Sequence, residues 1–298
     1  MTNPHEPSHD DAQQDRPSVR ARLLRLIARA GIALGTFAAF TFGASCVHLA
    51  RDNPDYAASD REVREQARRL RDEPVTLERP VLVLSGYRSP AGSAWILRDD
   101  LEELTGDDRI HSLSYPLADT IEDPARQAVA LVERLYPSDD PEWTTEVDVV
   151  AISMGGLVAR LAAADPALRG ADADGDRGKR LKIGTLYTLA SPHRGAVMAE
   201  RVRPDQASRD MAPGSSFLSA LDAELASAGF EIVPYAVLRD GMVGATNTAP
   251  PGQEPIWVPG RLIFSHFLIA LEDRIKTDVA LRLRGETPLG SPGEPPRD

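Results

Sequence analysis

The chain has 298 residues, 42% hydrophobic and 27% charged, which is globular composition rather than that of a fibrous or low-complexity chain. Its 45 acidic side chains against 34 basic ones leave a net charge of −11, so phosphate backbones are repelled and nucleic-acid binding is excluded as an expectation. A lone cysteine, Cys46, rules out an internal disulfide and a cysteine-based zinc site.

Residues 1–18 are polar, contain Pro4, Pro7 and Pro17, and read as a disordered tail. Residues 19–50 read as a signal or membrane anchor. Arg20, Arg22, Arg25 and Arg29 precede Ala30 to Ala50, a stretch of 21 residues with no charged side chain. About 20 such residues span the hydrocarbon core as a helix. Arginines on its amino side favour a cytoplasmic N-terminus with the rest exported. The segment would then stay as an anchor through residues 30–50, or be cleaved. Cys46 follows Gly43, Ala44 and Ser45, which resembles a bacterial lipoprotein signal and makes Cys46 a candidate for lipidation. A small apolar residue inside a membrane helix is the alternative. A buried helix of a soluble core is the other reading of the whole segment. The expected location is the cell envelope of a bacterium, tethered or exported.

Residues 51–74 read as a linker, broken at Asn53-Pro54, followed by a short amphipathic helix over 59–72. A single domain is expected over 75–285. Val81 to Leu84 is a continuous apolar run, the pattern of a strand buried on both faces. A helix is predicted over 93–105, a strand over 109–115 and a helix over 121–136. Val147 to Ile152 is the next buried strand, and the helix after it runs over 154–164. Strands follow at 182–189 and 231–238, and a helix over 264–284 closes the domain. From Glu286 the prolines at 288, 292, 295 and 296 predict a disordered tail. Strands alternating with helices imply a mostly parallel sheet flanked by helices, with the ligand site at the carboxyl ends of the strands.

The strand ending at Ile152 runs into Ser153-Met154-Gly155-Gly156 and then directly into a helix. With Ala151 two residues before Ser153 and Gly155 two after it, the spacing is small-x-Ser-x-Gly. A nucleophile on a tight strand-to-helix turn requires small neighbours at those positions. Here the chain resembles the α/β-hydrolase superfamily, lipases and related serine esterases in particular. It departs from their usual pattern in having Ala151 where glycine is common and Ile152 where lipases often carry histidine. The resemblance implies Ser153 as the nucleophile. It implies an oxyanion hole from the backbone N–H of Met154 and that of Tyr87, the latter in Ser85-Gly86-Tyr87, which resembles the His-Gly-aromatic loop of lipases. It also implies the chain order serine, acid, histidine. His266 is the histidine that follows both Ser153 and a plausible acid. Asp240 of Asp240-Gly241-Met242-Val243 is the preferred acid, and Asp273, which comes after His266, is the poorer one. Ser191-Pro192-His193-Arg194-Gly195 resembles a Thr-Pro-His-x-Gly segment of the same relatives. His193 is expected there as a structural or pocket-lining residue, with residues 196–230 as a lid or cap.

The expected function is a serine ester hydrolase working through an acyl-enzyme, with an ester or lipid substrate. An acyltransferase with the same triad and a non-catalytic envelope protein that keeps the fold for binding are the alternatives. No cofactor is expected, because no phosphate-binding or dinucleotide fingerprint appears. No metal is expected either. Asp172, Asp174 and Asp176 alternate as in calcium loops, but Arg177 stands in the glycine position and Ile183 where the bidentate glutamate belongs.

Overall fold

The computed structural model describes residues 58–89, 92–170, 178–260 and 265–294. The expected N-terminal tail and anchor, Cys46 and the aspartate loop at 172–176 lie outside the described residues. Among the described residues no helix is long and apolar enough to cross a membrane.

Helix α1 (Asp60–Asp72) opens on a capping box: the Ser59 hydroxyl accepts the Glu62 N–H, and the Glu62 carboxylate accepts the Ser59 N–H. Strand β1 (Val81–Leu84) follows, then α2 (Gly92–Thr105), β2 (Ile110–Leu113) and α3 (Glu122–Leu135). Next come β3 (Val147–Ile152), α4 (Gly155–Ala163), the single turn α5 (Pro166–Arg169) and β4 (Ile183–Leu189). Three short helices, α6 (Val197–Arg201), α7 (Gln206–Asp210) and α8 (Ser216–Leu225), lead to β5 (Glu231–Val237) and β6 (Ile256–Val258). The six strands form one sheet in the order β2-β1-β3-β4-β5-β6, and every pair is parallel. Parallel strands need crossovers, and the helices between them cover both faces.

Alternation along the strands assigns each residue to a face. Leu82, Leu84, Val149, Ala151 and Leu186 pack with α3 and α4 on one side. Val81, Val83, Val150, Ile152 and Leu189 pack with α1, α2 and the C-terminal helix on the other. β3 is buried at all six positions. Each aliphatic side chain withdrawn from water there stabilises the fold by about 1.5–3 kcal/mol.

Three expectations change. Strand β6 was not anticipated. The closing helix is not continuous: α9 (Ser265–Leu268) passes through a 3-10 turn (Ile269–Leu271) and breaks at Glu272 before α10 (Asp273–Leu283). Glu272 has extended backbone, which places His266 on its own turn. The C-terminal segment is held rather than loose as far as Glu294. Buried Asp278 accepts the N–H groups of Leu289 and Gly290, and the Trp257 indole N–H donates to the Gly293 carbonyl. Those bonds tie down the backbone that its prolines leave without regular structure.

Candidate active site

Ser153 occupies the first position after β3, with φ at 53°. A side chain in this left-handed region costs roughly 1–3 kcal/mol and persists only where its surroundings over-determine it. Its N–H donates to the Leu189 carbonyl at 2.8 Å, and its carbonyl accepts the Gly156 N–H at 3.1 Å. Glycine is needed at 155, because a Cβ there would stand 2.8 Å from the Ser85 carbonyl oxygen. Among the described residues the other non-glycine positive φ angles belong to Arg88, Ala190 and Arg239. Each follows the carboxyl end of a strand, β1, β4 or β5. Backbone strain is therefore concentrated at one edge of the sheet.

Three side chains meet at that edge. His266 Nε2 lies 3.0 Å from Ser153 Oγ, and His266 Nδ1 lies 2.8 Å from Asp240 Oδ2. All three residues are buried. The other Asp240 oxygen accepts the N–H groups of Met242 and Val243 at 2.9 Å each. A carboxylate accepts only, so Nδ1 carries the proton and donates it to Asp240. The Nε2 lone pair is then free to accept the Ser153 hydroxyl. Asp273 is not part of this group; its largely exposed carboxylate pairs with Lys276 at 2.9 Å.

Two backbone donors lie beside the serine. A Cβ on Gly86 would stand 3.1 Å from Ser153 Cβ, so the loop after β1 presses against the nucleophile side chain. Among the described residues the N–H groups of Tyr87 and Met154 donate to no protein acceptor. Met154 immediately precedes α4, whose N-terminal dipole favours negative charge at this point.

A cavity of about 430 Å³ opens over Ser153 and His266. Its walls are mostly apolar and include Ile96, Ile152, Ala199, Met211, Val243 and Leu271. Met198, Val202, Phe267 and Leu271 line it and are also exposed, so its mouth has an apolar rim. Residues from α6 to Met211 form one wall, where a cap was expected. A larger hollow, about 550 Å³, lies at the amino ends of β3 and β4. Its basic groups, Arg79, Arg160, Arg180 and Lys182, are ion-paired, and Ser153, Asp240 and His266 are absent from its lining.

His193 does not line the active-site cavity, which corrects that part of the expectation. It is fully buried, with Arg160 Nη1 donating to its Nδ1 at 3.2 Å and Thr188 Oγ1 3.1 Å from its Nε2. Burial, then the charges of Arg160 and Arg194, push its imidazole well below the ordinary histidine value. It is a neutral structural link between β4 and α4.

The residue that sequence reasoning missed is Asp205, the N-cap of α7. It accepts the Tyr87 hydroxyl at 2.6 Å and Arg88 Nη2 at 2.8 Å. Burial raises its carboxyl, but the bonds from Tyr87, Ser208 and Arg88 outweigh this and hold it below the usual carboxylate value. Burial and the Asp205 carboxylate push the Tyr87 hydroxyl up to about 12. Its only sequence signal is the Asp205-to-Ser208 cap spacing, which points to a helix start and not to Tyr87.

No cluster of metal-ligating side chains occurs among the described residues. Outside them, His5-Glu6-Pro7-Ser8-His9 has the spacing of a metalloprotease pair, a pattern the expectation of no metal passed over. A proline between the two histidines disfavours the helix that such a pair requires.

The pattern of the family described as "PGAP1-like alpha/beta domain" matches residues 120–203, from α3 through the serine turn to α6. No curated protein sequence matches the chain. Among solved structures, the mature form of Bacillus licheniformis lipase BlEst2 superposes with a TM-score of 0.50 at 14% identity, over 71% of this chain and 92% of that one. Aspergillus fumigatus lipase B gives 0.45 at 10% identity, over 83% and 62%. Phospholipase PlaB from Legionella pneumophila gives 0.42 at 14% identity, over 59% and 46%. The chain thus spans most of the first and less than two thirds of the other two. At 14% identity the likeness to BlEst2 speaks for the fold alone. The chain has the α/β-hydrolase fold and is similar to lipases and esterases.

Proposed function

We propose that the chain is a serine carboxylic-ester hydrolase that forms an acyl-enzyme on Ser153. The observation that carries this reading is the unbroken relay from Ser153 Oγ to His266 Nε2 and from His266 Nδ1 to Asp240, at 3.0 and 2.8 Å, on the floor of an apolar cavity. His266 takes the hydroxyl proton as Ser153 Oγ attacks the ester carbonyl. The tetrahedral oxyanion is held by the N–H groups of Met154 and Tyr87, which have no acceptor among the described residues to give up. The proton then passes from His266 to the leaving alkoxide, and the C–O bond breaks. Water, deprotonated by His266, attacks the acyl-enzyme and releases the acid. Asp240 holds the imidazole in the required tautomer and stabilises its cation.

The substrate class proposed is a lipid or acylglycerol ester. Its support is the apolar cavity with its exposed rim of Phe267, Leu271, Met198 and Val202, and the uncharged stretch from Ala30 to Ala50 that would keep the enzyme at a membrane in the cell envelope. A fluorophosphonate probe is expected to label Ser153. Ser153→Ala is expected to lose labelling and ester turnover, on the order of 10⁶-fold in kcat, with thermal stability retained. A wild-type protein that neither labels nor hydrolyses esters would leave the binding reading in place. Acyl transfer to an added alcohol in preference to water would make it an acyltransferase.

A further inference from the structure

We infer that Asp205 is a positioning residue that sets the oxyanion loop from the cap, through the side chains of Tyr87 and Arg88. The inference rests on the ester-hydrolase reading above and deepens it, because it names what regulates the geometry of that site.

The loop after β1 carries one of the two proposed oxyanion donors. Its own backbone holds it weakly: the Ser85 N–H donates to the Leu113 carbonyl at 3.1 Å and the Ser89 N–H to the Gly86 carbonyl at 3.3 Å. Between these bonds lie Tyr87 and Arg88, and Arg88 is in the left-handed region at φ 46°. An arginine leaves that region unless something outside the loop holds it. What holds it is a carboxylate from a segment 117 residues away. Asp205 Oδ2 accepts both the Tyr87 hydroxyl and Arg88 Nη2. Arg88 Nη2 also reaches Asp119 Oδ1 at 3.0 Å, and the Asp119 carbonyl in turn accepts the Ala207 N–H of α7 at 2.8 Å.

Asp205 is itself immobilised. Its Oδ1 accepts the Ser208 N–H at 2.9 Å, and its own N–H donates to Ser208 Oγ at 3.1 Å. Ser208 and Met211 line the cavity that would receive the acyl chain. The Met211 carbonyl accepts the Ala196 N–H, which ties α7 to the start of α6. The wall touched by the acyl chain and the loop that holds the oxyanion are therefore joined through the buried Asp205 carboxylate, with Asp119 as a second, exposed link. A cap moved by a poorly fitting acyl group would carry the Tyr87 amide out of place. Misplacing a catalytic group by about 1 Å costs on the order of 10²-fold in rate. The clamp thus converts acyl-chain fit into turnover number rather than into affinity alone.

The test uses the full chain with a soluble p-nitrophenyl ester and a fluorophosphonate probe. Tyr87→Phe removes only the hydroxyl and leaves the backbone N–H. It is expected to lower kcat and the rate of Ser153 phosphonylation by about tenfold or more, with KM changed by less than about twofold and the melting temperature near wild type. Asp205→Asn keeps one acceptor oxygen and is expected to fall in the same way. The double variant should lose less than the product of the two single losses, because both act through one contact. Wild-type kcat in both single variants, a loss confined to KM, or fully multiplicative losses would each overturn the inference. Should Asp205→Asn fail to fold, Tyr87→Phe decides alone. A wild-type protein that neither labels nor turns over ester overturns the hydrolase reading and the inference with it, whereas an active wild type with indifferent variants overturns only the clamp.

Discussion

The Asp240 carboxylate divides its two oxygens between different tasks: Oδ2 faces His266 Nδ1 at 2.8 Å, while Oδ1 accepts two N–H groups from its own turn, those of Met242 and Val243. The turn therefore dictates which atom an amide would present to the histidine. In Asp240→Asn the amide oxygen stays on the two backbone donors, and the NH₂ group is left facing Nδ1. That nitrogen must then accept, so the ring proton moves to Nε2 and points at Ser153. The base is lost while the packing is kept. We expect kcat to fall by about 10³–10⁴-fold with little change in unfolding midpoint. A variant within tenfold of wild type would remove Asp240 from the relay.

The close approach of α4 to β1 makes a second prediction. A Cβ on Gly155 would lie 2.8 Å from the Ser85 carbonyl oxygen and 3.0 Å from that of Leu84, and neither backbone atom can rotate away. Gly155→Ala must push the helix off the strand, at a cost of about 1–3 kcal/mol. Met154 moves with the helix and Tyr87 with the strand, so the two proposed oxyanion donors separate as well. Denaturant titration should show the destabilisation. Turnover measured on fully folded protein should still be reduced, and full turnover there would mean that the spacing of the two amides does not matter.

Legibility followed the range of the interactions. Val81–Leu84 and Val147–Ile152 are buried on both faces, and such strands announce themselves as unbroken apolar runs. Ser153 and Asp240 could be placed because each closely follows a strand end, where a parallel sheet collects its ligand groups. β6 was invisible: it has three residues, between Pro255 and Pro259, and it exists by pairing with β5. The break at Glu272 was hidden because the apolar residues on both sides of it continue a helical pattern. The clamp at Asp205 joins residues 117 and 118 apart in the chain, a separation at which local spacing carries no information. His193 resisted for a related reason. Its motif fixes that it follows β4, but its partners Arg160 and Thr188 decide that the ring points into the protein and not into the cavity.

His193 also gives the fold a pH dependence whose direction can be worked out. Arg160 always donates, so Nδ1 must accept and the ring must stay neutral, with its proton on Nε2 directed at Thr188 Oγ1. Burial and the neighbouring arginines hold its folded value well below 6.5. In the unfolded chain the same imidazole takes up a proton near pH 6.5. Below that pH the unfolded state binds a proton that the folded state refuses. The stabilisation is thus complete above about pH 6.5 and is lost as pH falls toward the folded value, at up to about 1.4 kcal/mol per pH unit. His193→Gln lacks the titrating group. It is expected to be less stable than wild type at pH 8, yet to show a shallower loss of stability between about pH 6.5 and 5 in paired denaturant titrations. His111, which burial also holds below its ordinary value, remains in both proteins and cancels from the comparison. Equal slopes for the two proteins would mean that His193 accepts a proton in the folded state, and that the Arg160 contact yields to it.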